Sequence, residues 1–405
     1  MSTLGIDFGT SFCSASYIAA DGKPKAIRFS GHDMKMPSLV SFYENNVFVG
    51  YDVSNRLKYM SASPELGTFM GSTAKSIKTI LNANDKFCGH SHREIVAIIL
   101  NRIKRESERS CTAMTFDDLV LTYPANFEEY KKQLLKEAAK EAGFKNIQLL
   151  QEPVSAAIGF LSHINTTLTD IKGLLVYDFG AGTFDVAYVT KQDGQFVVPF
   201  TPVGDSHCGG DNIDEALYNL ITEKAKEYIG NEYCERTDLD LLFDCRRWKE
   251  MLSSMDKIPI SVLSRNDFSK KFDYELTRKE LEETIRPIIK KTITLTQNIV
   301  NEIKGNSLPL DFILLIGGSS NIPMVKTMLN EALPEVNVYS TGDADIAVAL
   351  GASYYAKSPI EIDPEKEWCY CMYDGKRILK SYKFCIYCGK PNFYKTGNFE
   401  LYRKE

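Results

Sequence analysis

No stretch of this chain is apolar for anything near the ~20 residues that a membrane-spanning helix needs. The N-terminus, MSTLGIDFG, has neither a cationic segment nor a signal-like apolar core. Membrane insertion and export are therefore not expected, and a cytoplasmic setting is. Positive charge is not in surplus either: Lys+Arg total 48 against 53 Asp+Glu, a net charge of −5. That balance gives no basic field for nucleic acid. Cysteine is thin along most of the chain, with Cys13, Cys88, Cys111, Cys208, Cys234 and Cys245 well apart, but four crowd the tail at 369, 371, 385 and 388. In a large chain with a reducing address, a local cluster suggests metal rather than disulfides.

What is present is a chain of 405 residues, 44% hydrophobic and 25% charged, long enough for two domains with a sizeable core. It carries an internal echo. LGIDFGTSFCSASYI at 4–18 aligns with LVYDFGAGTFDVAYV at 175–189, which puts Asp7 and Asp178 at equivalent places 171 positions apart. Similarity on that scale indicates a duplicated fold rather than a short repeat. Each copy continues as strand, helix, short strand, helix. DLVLTYPANF, EEYKKQLLKEAAKEAGF, IQLLQE and PVSAAIGFLSHI follow the first, and DFILLIGG, NIPMVKTMLNEAL, VNVYS and DIAVALGASYYA follow the second. The alternation predicts mostly parallel sheets covered by helices, an α/β fold. Residues 19–115 form a less regular insertion in the first half (1–172). Residues 211–305 form a charged, helical block in the second (173–357), with a capping box at Thr277 and Glu280.

The two Asp-Phe-Gly bends suit a Mg²⁺-bound nucleoside triphosphate. Phosphate oxygens need close backbone N–H groups, which favours Gly9, Thr10, Ser11, Gly180, Gly182 and Thr183. Hydrated Mg²⁺ keeps several waters and takes one or two carboxylates, a task for Asp7 and Asp178. An ordinary Asx turn accounts for one such bend alone; two copies in matching strands call for a shared task, clamping phosphates across a cleft.

GIDFGTS, LTYPANF, QEPVSAA, VYDFGAGTFDVA, GDSHCGGDNID, LLIGGSSNIP and DADIAVALGA occur in this order. As a set they resemble the nucleotide-binding domain of the 70-kilodalton heat-shock chaperones (DnaK-like), within the actin, sugar-kinase and heat-shock ATPase superfamily. The resemblance covers residues 4 to about 357. It implies a duplicated actin-like fold with two lobes around an ATP/ADP cleft, and it assigns roles by position. Asp7 and Asp178 organise Mg²⁺; Thr10 and Thr183 contact phosphate. Glu152 helps arrange metal-bound water, and Asp185 helps deprotonate the attacking water. Gly209 and Gly210 are phosphate-side glycines, and Gly317, Gly318 and Ser319 form the adenosine-side turn. Lys249 and Ser253 contact ribose or adenine, and Asp345 stands beside the nucleotide. A lysine steadying the γ-phosphate matches Lys78, with Lys75 the second choice. Two positions depart from the family: Arg246 replaces a ribose-binding Glu, and Asn321 replaces an Arg that stacks on adenine.

The tail, 358–405, differs. SPIEIDPEKE reads as a polar linker and lacks the family's leucine-rich one; the 48 residues are too few for the family's peptide-binding domain. Cys369-x-Cys371 and Cys385-x-x-Cys388, separated by an Asp374-Gly375 hairpin signal, have the form of a Cys₄ zinc ribbon, with structural Zn²⁺ in place of a core. Surplus tail aromatics suggest a protein partner. CGHSH at 88–92 is read as a loop with incidental histidines, since no fourth ligand is placed. The expectation is thus a monomeric, Mg²⁺-dependent, slowly hydrolysing ATPase switch with a zinc-ribbon interaction module. The alternatives are a non-hydrolysing nucleotide sensor or scaffold and, with the helical block against it, an actin-like filament former.

Overall fold

The computed structural model describes residues 2–357 except 30–32, 61–62, 113, 164–170, 193–194, 231–237, 264–269 and 341–343. Beyond 357 it describes only the strands Trp368–Tyr370 and Arg377–Leu379.

Two sheets repeat one plan. In the first, the strands run in space as Asn146–Gln151, Asp118–Tyr123, Thr3–Phe8, Phe12–Ile18 and Pro24–Ala26, with Lys35–Pro37 also on Phe12–Ile18. In the second the order is Asn337–Ser340, Phe312–Ile316, Gly173–Phe179, Phe184–Gln192 and Gln195–Val197, with Val203–Asp205 on Phe184–Gln192. The first three strands of each sheet are parallel and the central hairpin is antiparallel. Register matches as well as order. Asp7 faces Ser14 as Asp178 faces Asp185, and Phe8–Cys13 matches Phe179–Phe184. The run Leu174–Tyr177 is buried throughout, as expected of a central strand covered on both faces.

The helices do not stay with their own halves. Glu152–His163 buries Val154, Ala156, Ala157 and Leu161 with Leu174, Val176 and Phe312 of the second sheet. Ala347–Lys357 lies on the first, where Ser16 Oγ donates to the Ala349 carbonyl at 2.6 Å. The two helices cross where backbone meets backbone. A Cβ on Gly351 would fall on the Ser155 carbonyl oxygen, and one on Gly159 on that of Ala347. The 172/173 division of the sequence thus separates the sheets, while each sheet borrows a covering helix from the other half.

The 211–305 block holds helices Gly210–Ile229, Asp238–Leu252 and Arg278–Gly305, the last capped by Thr277 and Glu280 as the sequence indicates. It also holds a hairpin, Lys257–Leu263 with Lys271–Thr277, which the charge-dominated reading passed over. Its signal was the alternation of Ile258, Ile260 and Val262, all buried, with exposed neighbours. In the 19–115 insertion, the Ser91 side chain and Glu94 cap a 19-residue helix, His92–Ser110. Among the described residues no helix is long and apolar enough to cross a membrane.

In the tail, Tyr370 pairs with Arg377. A two-residue turn at Asp374-Gly375 would instead pair Tyr370 with Leu379, so the strands are joined in a register two residues off the one that the Asp-Gly signal implies. Of the proposed zinc ligands, Cys371, Cys385 and Cys388 lie outside the described residues, and only the backbone of Cys369 is described.

Candidate nucleotide cleft

Each central hairpin ends in a four-residue bend, 9–12 after Phe8 and 180–183 after Phe179. Both need small residues. A Cβ on Gly9 would strike the Phe12 carbonyl, and the Gly180 N–H donates to the Thr183 carbonyl at 3.0 Å to close the second bend. Ser38 Oγ holds the first by donating to the Gly9 carbonyl at 2.8 Å. The bends touch across the cleft: the Cβ site of Gly182 lies 3.4 Å from Thr10 Cγ2 and 3.7 Å from Ser11 Oγ. Both bends line one cleft of about 940 Å³.

Beneath the bends is a knot of acids. Asp7, Glu152, Asp178 and Asp185 line the floor with Lys78, whose ammonium meets Glu152 Oε1 at 2.6 Å. Lys78 is buried and Lys75 is exposed, which settles which of the two faces the cleft. Burial pushes the Asp7 carboxyl up to about 7; Glu152 adds to this, while Lys78 and the Thr122 hydroxyl, 3.3 Å away, pull it down. Asp185 is also pushed up to about 7, by burial and then by Glu152. Asp178 stands well above the usual range through burial and the charges of Glu152, Asp185 and Asp7. Burial lowers Lys78, but the attraction of Glu152 and Asp7 outweighs it and holds the ammonium above its ordinary value. Four carboxylates against one ammonium form a donor set short of positive charge, which suits a divalent cation. Among the described residues no three His, Cys, Asp or Glu side chains converge closely enough to hold a metal directly.

The other end of the cleft is built by a helix face and a turn. Arg246, Lys249, Glu250 and Ser253 lie along one stripe of the Asp238–Leu252 helix and its end, at helical spacing, and all line the wall. Gly317 (φ 78°) turns the chain after the Phe312–Ile316 strand, and its N–H donates to the Ala344 carbonyl. Gly318 has no Cβ, which leaves room for the Asp345 carboxylate, and Ser319 Oγ ties the turn to the Gly180 carbonyl at 2.8 Å.

Of the residues singled out from sequence, Gly209 and Gly210 sit behind the 180–183 bend rather than on the cleft wall. The Gly210 N–H donates to the Gly180 carbonyl, and a Cβ on Gly209 would strike the Ala181 carbonyl. Sequence reasoning missed Lys35, which pairs with Asp345 at 2.8 Å, and Phe12, whose ring lies under the Lys35 ammonium. Phe12 closes the first bend, next to Ser11, while Lys35 carries no local signal, because the sheet pairing of Lys35–Pro37 with Phe12–Ser14 brings it in. The 86–91 segment is a tight hairpin with Cys88 (φ 50°) and Gly89 (φ 85°) at its turn, and His92 opens the helix that follows. His90 stacks on Phe42 and His92 Nδ1 accepts from the Asn82 N–H, which leaves both rings in structural roles.

Comparison with known proteins adds to this geometry. The model of the Hsp70 protein family matches residues 69–358, a span that starts beyond the first bend. The chain is 26% identical over 393 residues to the chaperone protein HscA of Buchnera aphidicola, covering 86% of this chain and 69% of that one. To the HscA homolog of Rickettsia prowazekii it is 28% identical over 366 residues, covering 88% and 57%. To the chaperone protein DnaK of Mycoplasmopsis pulmonis it is 29% identical over 367 residues, covering 86% and 57%. The chain thus spans little more than half the length of the latter two.

Proposed function

Because the chain belongs to the Hsp70 family, we propose that it is a Mg²⁺-dependent ATP-binding switch that hydrolyses ATP slowly. One observation carries this reading: two equivalent bends, one from each sheet, meet over a floor of four acids and one lysine. Bound Mg²⁺ would neutralise charge on the phosphates, with Asp7 and Asp178 holding its waters. The backbone of 9–12 and 180–183, with the Thr10 and Thr183 hydroxyls, would cradle the phosphate oxygens. Glu152 holds the Lys78 ammonium at 2.6 Å, so the amine is aimed before any ligand arrives. Asp185, with its carboxyl near 7, is matched to accept a proton from an attacking water at neutral pH.

The lobes would then open and close with nucleotide state about the crossed helices, in a chaperone-type switch of the cytoplasm, where thiols stay reduced. The Cys₄ spacing of the tail supports a zinc-ribbon module that docks a protein partner. Phosphate release from Mg–ATP tests the reading: turnover is expected from the wild-type chain and at least ~100-fold less from Asp7→Ala with Asp178→Ala. Equal rates would end the hydrolysis claim. Binding without turnover in the wild type would leave a nucleotide sensor.

A further inference from the structure

Along the first central hairpin, facing pairs pass from covered to open. Gly5 pairs with Ser16, and there the Ala347–Lys357 helix lies on the sheet. Ser16 Oγ bonds the Ala349 carbonyl at 2.6 Å and Ser353 Oγ at 2.7 Å, and a Cβ on Gly5 would strike the helix backbone at Ser353. Two residues nearer the bend, on the same face, Asp7 pairs with Ser14, and both line the cleft. The second hairpin repeats the step. Val176 pairs with Ala187 in the cluster that the Glu152–His163 helix covers; then Asp178 pairs with Asp185, and both line the cleft. Ser14 thus holds in the first sheet the register position that Asp185 holds in the second. Of the four residues in these two cleft-facing pairs, three are acids and Ser14 is the exception.

Ser14 is 2% exposed, and its hydroxyl has no hydrogen-bond partner among the described residues. No other described residue lining the cleft has a buried side-chain oxygen in that condition. The hydroxyls and thiol around it are engaged. Cys13 Sγ pairs with Ser38 Oγ at 3.2 Å, and Thr122, on the far side of Asp7, reaches Asp7 Oδ1 at 3.3 Å. Lys35, opposite Ser14 on the next strand, has its ammonium on Asp345. A buried hydroxyl is destabilising until something pairs with it. Directly opposed residues of an antiparallel pair have Cβ atoms about 5 Å apart, so one water spans the gap between a short hydroxyl and the carboxylate beside it.

We propose that Ser14 is a positioning residue for the hydrated cation: its hydroxyl accepts a hydrogen bond from a cation-bound water that Asp7 also holds. The proposal rests on the Mg²⁺–nucleotide reading above and adds a division of labour between the duplicated hairpins. A hydroxyl orders a water and stays neutral, whereas a carboxylate at the same register can also take a proton. The first hairpin therefore only orders water, and the second carries the base.

The test is calorimetric titration of the full chain with Mg–ADP and, separately, with ADP in EDTA, together with a thermal melt of the ligand-free protein. Ser14→Ala is expected to weaken Mg–ADP about fivefold and to leave ADP in EDTA within about twofold. Its ligand-free melting temperature should equal or exceed that of wild type, because the variant removes a buried hydroxyl that has no partner. A serine that merely packs would give the opposite pattern, a lower melt and equal losses on both ligands. Ser14→Thr keeps the hydroxyl and should hold Mg–ADP within about twofold of wild type. Unchanged Mg–ADP affinity in Ser14→Ala, equal losses with and without the cation, or a lower ligand-free melt would overturn the proposal. So would a loss in Ser14→Thr as large as that in Ser14→Ala. A wild-type chain that binds ADP equally well in Mg²⁺ and in EDTA would bring down the cation part of the reading beneath, and one that binds neither would bring down the nucleotide reading itself.

Discussion

Asp7 is a carboxylate that the empty protein holds best when it is neutral. Its pKa rises from 3.8 to about 7 on folding, and that of Asp185 does the same. Between those values the folded chain binds protons that the unfolded chain has lost. Stability of the ligand-free protein therefore falls as pH rises from about 4 to about 7, and the full cost is carried above 7. Asp7→Asn removes that cost. Its melting temperature without ligand should exceed that of wild type by ~3 °C or more at pH 8 and by ~1 °C or less at pH 4. Thermal unfolding at the two pH values checks this, and equal shifts at both would count against the burial explanation. Mg–ADP should stabilise wild type more at pH 8 than at pH 5, and Asp7→Asn much less at either pH. In the sequence Asp7 and Asp178 stood out because they recur in matched strands. Lys35 did not, since nothing near it shows that a cross-strand pairing will place it on the cleft wall.

At the scale of elements, the local punctuation was readable. Gly143 takes φ 90° just past the Glu129–Glu141 helix, and Thr277 with Glu280 starts Arg278–Gly305. The Lys257–Leu263 hairpin was hidden because its exposed positions carry the charges of a helical block. The exchange of covering helices was hidden for another reason: an apolar helix face does not state which sheet it will cover. That exchange depends on glycine at the crossing. Gly351→Ala would set a methyl group on the Ser155 carbonyl oxygen, where backbone faces backbone and neither side chain can yield. A loss of ~3 kcal/mol is expected, at the upper end of overpacking effects, with easier proteolysis between the lobes. Urea unfolding measures it, and a neutral result would show that the crossing is looser than the geometry indicates.

For the whole molecule, the body and the tail make separate claims. The spacing of Cys369, Cys371, Cys385 and Cys388 predicts one zinc per chain in native mass spectrometry. Cys385→Ser with Cys388→Ser should abolish that zinc and leave ATP affinity within about twofold, because the bends, acids and helix stripe that line the cleft all come from residues 7–348. A zinc-free wild type would remove the ribbon; a parallel loss of ATP binding would tie the tail to the cleft. By itself the sequence determined the duplication, the strand and helix order, and the acids and glycines of both bends. Those follow from spacing and from the conformational demands of single residues, which are local. Only the tertiary structure decided that Gly182 meets Thr10, that Lys78 rather than Lys75 reaches Glu152, that Gly209 and Gly210 stand behind a bend, and that Arg246 is held by Asp211 and Asp214 beside Phe12. Each of these is a contact between segments far apart in the chain, fixed when two sheets and their exchanged helices pack, and no local pattern encodes that distance.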